Sequence, residues 1–207
     1  MNSDEVKTGN GNVFFIIGMR RSGTSILRKL ISKSEGVEKI LFEPHNLWRS
    51  IMNLHFTRLN DERSRGEVRE FSSISNGQCR GAKFALNPGI DALDWVWLHK
   101  VYPKSKFVII IRDVHDVYLS YLEADKNSIR GAIPYETYSP MYHWQLGWLY
   151  HFNDTFKDRS RIVRYEKLIE DPEKEMAPVW ELLNVPPVKV LRSMIQQPEH
   201  ATVKEAK

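Results

Sequence analysis

The residues best equipped for chemistry lie in the run Gly18-Met-Arg20-Arg21-Ser22-Gly23-Thr24-Ser25. Its two glycines have the G-x-x-x-x-G spacing of a phosphate-cradling P-loop. Backbone N–H groups at a helix start lack an intrahelical partner, and the helix dipole adds partial positive charge there. A loop that turns sharply into a helix therefore aims several donors at one anion. Ser22, Thr24 and Ser25 add hydroxyls, and Arg20 and Arg21 add charge. A nucleoside-triphosphate loop would continue with a lysine that reaches the β- and γ-phosphates. This chain has Thr24 there, which disfavours triphosphate chemistry but leaves room for a 5′-phosphate or phosphosulfate. The plainer alternative is a glycine turn after a strand with no ligand at all.

A second anion site is expected at Arg112 and Ser120. Arg112 follows the apolar run Phe107-Val-Ile-Ile-Ile111, and ligands of parallel α/β sheets bind at the C-terminal ends of strands. Ser120 falls about two helical turns later, able to share a face with it. A guanidinium fork with a hydroxyl suits a phosphate. A metal-organising Asp would stand directly at the strand end, but Arg112 holds that position and Asp113 follows. The pair of sites thus implies a ligand with two separated phosphates and no metal. The competing reading pairs Arg112 with a surface carboxylate and leaves Ser120 on an exposed helix face.

These residues need a scaffold, and the hydrophobic pattern supplies one. Apolar strand-like runs at 13–17, 39–42, 81–86, 106–111 and 161–164 alternate with helical patterns at 24–34, 47–59, 88–101, 114–125 and 140–157. Helices at 172–183 and 187–196 follow. Alternation of this kind predicts an α/β fold with a parallel sheet covered on both faces. Segments 60–78 and 126–138 are polar and read as mobile loops, of the kind that act as lids. The 207 residues favour a single domain, 13–207, behind a polar tail, 1–12. The net charge of +4 suits an anionic ligand, but the basic residues are dispersed, which argues against nucleic acid. Cys79 is the one cysteine, so no internal disulfide framework exists and a reducing, cytoplasmic setting is expected. No apolar run is long enough to span a bilayer. Tyr135, Tyr138, Tyr142, Trp144 and Trp148 cluster around one loop and helix and could face a sugar or aromatic acceptor, but Trp144 and Trp148 have i, i+4 spacing and read rather as a core stripe of their helix.

Taken in order, the motifs resemble the sulfotransferases that use 3′-phosphoadenosine-5′-phosphosulfate. Arg21-Ser22-Gly23-Thr24-Ser25 is similar to their 5′-phosphosulfate loop, and Arg112 with Ser120 to their 3′-phosphate motif. Arg164-Tyr165-Glu166 through Asp171-Pro172 resembles the later R-Y-E-x-L-x-x-D-P segment. Leu41-Phe42-Glu43-Pro44 is similar to the F-E-P stretch of carbohydrate sulfotransferases, and the loop also resembles that of tyrosylprotein and bacterial members. The resemblance implies a P-loop three-layer α/β/α sandwich with a five-stranded parallel sheet ordered 2-3-1-4-5. It also implies in-line, metal-independent sulfuryl transfer to an acceptor hydroxyl, with carbohydrate or glycolipid favoured, leaving adenosine 3′,5′-bisphosphate.

The resemblance assigns further residues. Glu43 would be the base for the acceptor hydroxyl, with His45 as rival because an imidazole titrates near neutrality; otherwise Glu43 caps the helix after it. Lys83 would stabilise the leaving group's bridging oxygen, unless it is an exposed strand-edge lysine. Arg21 would hold the sulfuryl oxygens, and Tyr165 would contact the cofactor unless it is an ordinary core residue. The Arg-Lys-Gly segment with which cytosolic members cover the cofactor has no match, so that cover is missing, replaced, or supplied by Arg192, Lys204 or a partner. Two other classes compete: a P-loop kinase for a small metabolite, and a non-catalytic nucleotide-binding module of the same fold.

Overall fold

A computed structural model describes residues 12–56, 61–73, 78–87, 98–125, 133–190 and 192–195. The 1–11 stretch of the expected tail, most of the expected helix at 88–101, and Lys204 lie outside the described residues.

Five strands form one all-parallel sheet: β1 (Asn12–Met19), β2 (Val37–Phe42), β3 (Cys79–Leu86), β4 (Lys106–Ile111) and β5 (Ser160–Arg164). Their order is β2-β3-β1-β4-β5, as expected. β1 is central because its run Phe14-Phe15-Ile16-Ile17 is fully buried on both faces. Successive side chains of a strand point to opposite faces, so these residues divide between two cores. Phe15 and Ile17, with Phe107 and Ile109, pack on one face. Phe14 and Ile16, with Val108 and Ile110, pack on the other. Each such side chain contributes about 1.5–3 kcal/mol by burial.

The first face is covered by α2 (His45–Phe56), α3 (Glu62–Ser72), α4 (Leu98–Val101), α5 (Val114–Asp125) and α6 (Tyr135–Thr155). The second is covered by α1 (Thr24–Ile31), α7 (Tyr165–Glu170), α8 (Pro172–Leu183) and α9 (Arg192–Ile195). The result is the expected three-layer sandwich. Asp171 accepts from the Lys174 N–H and Pro172 opens α8, while Asn184 closes it in the left-handed region at φ 55°.

Several boundaries differ from the sequence reading. The stretch 60–78 contains α3 rather than one continuous loop. Asp61 caps it through the Ser64 N–H, and Arg65 pairs with Glu62. Its buried stripe, Ser64, Val68, Phe71 and Ser72, holds only two large apolar side chains, too few to stand out in a polar sequence. α6 begins at Tyr135 and not at Pro140, so the loop expected at 126–138 ends earlier. Pro140 lies early in the helix, where the missing N–H costs one bond. The expected helix at 187–196 shrinks to α9, because Pro186 and Pro187 favour extended chain and Ser34 Oγ donates to the Pro186 carbonyl at 2.8 Å. Trp144 and Trp148 are not a core stripe: they are 50% and 36% exposed, while Tyr138, Tyr142, Gln145 and Leu149 form the buried side of α6.

Cys79 begins β3 and is 1% exposed; burial pushes its thiol up to about 11. Because the thiolate is the reactive form, iodoacetamide at pH 8 should leave Cys79 of the folded protein unlabelled while fully labelling the urea-unfolded chain. Equal labelling rates by mass spectrometry would contradict this burial.

Candidate functional site

Parallel pairing puts the C-terminal ends of all five strands at one edge of the sheet, and the predicted residues gather there. After β1 the chain turns through Arg20–Gly23 into α1. Gly18 lies against β4, where an added Cβ would stand 2.7 Å from the Ile110 carbonyl oxygen. Gly23 is the N-cap of α1 at φ 99°, and an added Cβ would stand 2.6 Å from the Tyr165 ring. Both glycines of the motif are thus required by close approach, and Gly23 also by backbone conformation. Ser22 is fully buried. Its N–H and its Oγ both donate to the Met19 carbonyl, at 3.0 and 2.7 Å. Its hydroxyl therefore shapes the loop. Thr24 and Ser25 open α1 and line the cleft above the loop.

The second predicted site joins the first. Arg21, at φ 70°, donates from Nε to Ser120 Oγ at 3.0 Å. Arg112 donates from Nη1 to the Arg21 carbonyl at 3.2 Å, and its guanidinium lies 4.2 Å from the Tyr165 ring centroid. Arg112 does approach a surface carboxylate, Asp116, but only at 3.8 Å. Its Nε is buried with no hydrogen-bond partner. Tyr142 fixes this strand end by donating to the Arg112 carbonyl at 2.5 Å. Burial pushes the Tyr142 phenol well up, so it remains a donor. Glu166 accepts from the Asp113 N–H at 2.8 Å, giving the Arg164–Pro172 motif a structural role in tying β4 to α7.

At the other end of the edge, Phe42↔Lys83 is the last register pair of β2 with β3. Lys83 is buried, so the exposed strand-edge reading fails; Glu43 sits over it with Nζ–Oε1 2.8 Å. Glu43 has φ 41°. Apart from Asn184 in its helix cap, Arg21 and Glu43 are the non-glycine residues at positive φ among those described. Strain of that kind gathers at functional sites. The Phe42 ring lies 4.0 Å from Lys83 Nζ and 5.4 Å from the Arg28 guanidinium.

A cleft of about 340 Å³ joins these parts. Arg20, Arg21, Arg28, Lys29 and Lys83 line it against a single carboxylate, Glu43. A second cleft adjoins it, sharing Arg20, Glu43 and Ala85, and it includes His45, which is exposed at the start of α2. The sequence reading gives no role to Lys29, includes Phe42 only as part of a motif, and does not count Arg28 as a site residue. Arg28 lies one turn after Thr24 on the same helix, a spacing that could have identified it. The side chain of Arg192 lies outside the described residues. The site fits a multiply charged anion on physical grounds: a cationic cleft, a helix N-terminus, and buried Nε atoms of Arg28 and Arg112 without partners. Among the described residues, no group of His, Cys, Asp and Glu could hold a metal ion, and no helix is long and apolar enough to cross a membrane.

Residues 90–189 match the model of the sulfotransferase family. No curated protein matches the sequence. Among solved structures, the sulfotransferase domain of the Synechococcus PCC 7002 olefin synthase is 17% identical with a TM-score of 0.61, over 98% of this chain and 83% of that one. A sulfotransferase from Alicyclobacillus acidocaldarius is 15% identical with a TM-score of 0.56, over 90% and 88%. Mouse sulfotransferase SULT7A1, complexed with PAP, is 16% identical with a TM-score of 0.57, over 94% and 68%. At these identities the likeness is one of fold.

Gly23→Ala should cost about 2–4 kcal/mol of folding stability, because it adds left-handed strain to a collision with Tyr165. Urea denaturation measures it, and a loss below about 0.5 kcal/mol would mean that the loop does not pack on Tyr165 as described.

Proposed function

Given that residues 90–189 match the sulfotransferase family model, we propose that this chain transfers a sulfuryl group from 3′-phosphoadenosine-5′-phosphosulfate to an acceptor hydroxyl, leaving adenosine 3′,5′-bisphosphate. The observation that carries this reading is the convergence of Arg21, Arg112 and Ser120 beside a phosphate loop that lacks the nucleotide lysine. The donor supplies the activated sulfuryl group. Everything else is done by the residues of the edge. The loop N–H groups with Thr24 and Ser25 hold the 5′ end, and Arg112 with Ser120 holds the 3′-phosphate, its buried Nε gaining a partner there. Tyr165, stacked on Arg112, keeps that guanidinium flat against the strand end. Arg21 and Lys83 concentrate positive charge where negative charge develops, which is where electrostatic stabilisation counts most.

Glu43 accepts the acceptor hydroxyl's proton. Its carboxylate lies beside Lys83, at the junction of the two clefts, so the proton leaves on one side of the reacting centre while charge is stabilised on the other. His45, on the rim of the second cleft, is the competing base. The F-E-P likeness favours a carbohydrate or glycolipid hydroxyl. The same reading treats 13–207 as one catalytic domain of a cytoplasmic protein, the latter on the strength of its lone, buried cysteine.

A kinase reading would need a lysine at Thr24 and an acidic residue at Arg112, and it finds neither. A non-catalytic module would have no need of a strained Glu43 over a buried lysine.

Three outcomes are expected. Glu43→Gln, whose amide still accepts from Lys83, should abolish sulfate transfer while adenosine 3′,5′-bisphosphate affinity by calorimetry stays within about threefold, since only the base is lost; retained turnover would move the base to His45. Arg112→Ala should weaken binding of that nucleotide by more than about 1.5 kcal/mol, the usual loss for a charged hydrogen-bonding partner. Turnover with radiolabelled donor should survive EDTA, whereas dependence on Mg²⁺ and ATP would favour the kinase.

A further inference from the structure

Arg20 is the loop cation whose side chain turns away from Arg112 and Ser120, towards the junction of the two clefts. Its backbone N–H donates to the Leu86 carbonyl at 2.8 Å, extending the β1–β3 ladder by one residue. Its side chain is carried away from the Ser22 turn to the end of β3, where Nη1 donates to Asn87 Oδ1 at 3.2 Å. Arg21, one residue on, goes the opposite way, to Ser120 on α5. The loop thus divides its two guanidiniums between the two sides of the reacting centre.

Arg20 is exposed and takes part in no ion pair among the described residues. It borders both clefts. The cleft beyond Glu43 has an apolar lining of Pro44, Phe84, Ala85 and Leu86, with Arg20, His45 and Asn87 as its polar groups. Only Glu43 among its lining residues carries negative charge, and that carboxylate is already paired with Lys83. A guanidinium has five N–H donors, and Asn87 takes one while holding the fork at the rim.

Resting on the sulfotransfer reading above, we propose that Arg20 is a specificity-determining residue. The acceptor it selects bears a carboxylate close to the hydroxyl that is sulfated, on a partly apolar body. The carboxylate pairs with the Arg20 fork, a match of planar groups with two parallel hydrogen bonds. The apolar body lies on Phe84 and Leu86, and the hydroxyl reaches Glu43. Selection works in both directions. A carboxylate beside Glu43 without a cation would be repelled, and an uncharged acceptor leaves the Arg20 fork unmatched in a closing site.

The test uses the full chain, labelled donor, and acceptor pairs matched in their hydroxyls but not in charge: octyl β-glucuronide with its C6 carboxamide, and 3-hydroxybenzoic acid with 3-hydroxybenzamide. Wild-type kcat/KM should favour the carboxylate of at least one pair by about tenfold or more, the worth of a charged hydrogen-bonded contact, chiefly through KM. Arg20→Gln should collapse that ratio to about unity, and Arg20→Lys should restore part of it. Equal use of both members, preference for the uncharged one, or a ratio unmoved in Arg20→Gln overturns the assignment. Failure to sulfate any carboxylate overturns it too. Calorimetry with adenosine 3′,5′-bisphosphate then separates the causes: binding intact means that only the acceptor assignment falls, and binding absent means that the sulfotransfer reading falls with it.

Discussion

The parallel pairing of β1 between β3 and β4 is the constraint on which the rest depends. Because the strands run the same way, their C-terminal ends share one edge, and each of the five delivers one part of the site. β1 delivers the loop, β2 delivers Glu43, β3 carries Lys83, β4 ends at Arg112, and β5 leads into Tyr165. A one-residue slip would turn every side chain of a strand to the opposite face. Lys83 would then lose Glu43, and the two apolar cores would fill with the wrong residues. Burial of Phe14, Phe15, Ile16 and Ile17 on both faces of β1 therefore sets the register of the chemistry as well as the stability of the fold.

Around that frame the site is held in shape by a few hydrogen bonds and ring contacts. Ser22 closes the loop on Met19, Tyr142 pins the end of β4, and Glu166 links Asp113 to α7. Tyr165 is packed by Gly23 on one contact and by Arg112 on another. Lys83 is surrounded in the same manner, between the Glu43 carboxylate and the Phe42 ring. A buried ammonium is tolerated only where such partners exist, so the strained backbone of Glu43 and the burial of Lys83 are two sides of one arrangement.

The strands and the glycine loop were legible because each announces itself locally, whereas the strand order and the expectations for Glu43, Lys83 and Tyr165 came from the resemblance to a family. The unbroken apolar run 107–111 can only be a covered strand, and two glycines at fixed spacing before a helix leave few other roles. What escaped was set by the third dimension. α3 is held by Asp61, by surface ion pairs and by a thin stripe, all weak signals in sequence. Trp144 and Trp148 have core spacing, but Tyr138, Tyr142 and Leu149 occupy the inner face of the same helix. Ser22 and Thr24 are both hydroxyl residues of the loop, and only the structure shows that Ser22 is committed to Met19. Likewise, nothing in the adjacent pair Arg20-Arg21 tells that the two side chains part company.

The contact between Arg21 and Ser120 spans 99 residues of chain, and that between Arg112 and Arg21 spans 91. Closing such long loops costs entropy before any reward is gained, and topologies rich in them fold slowly. This cluster is accordingly a late product of folding: it cannot exist until β4 has docked on β1, and Tyr165 joins it only with the last strand. A chain still emerging from synthesis would present the glycine loop before Arg112, Ser120 and Tyr165 had reached it.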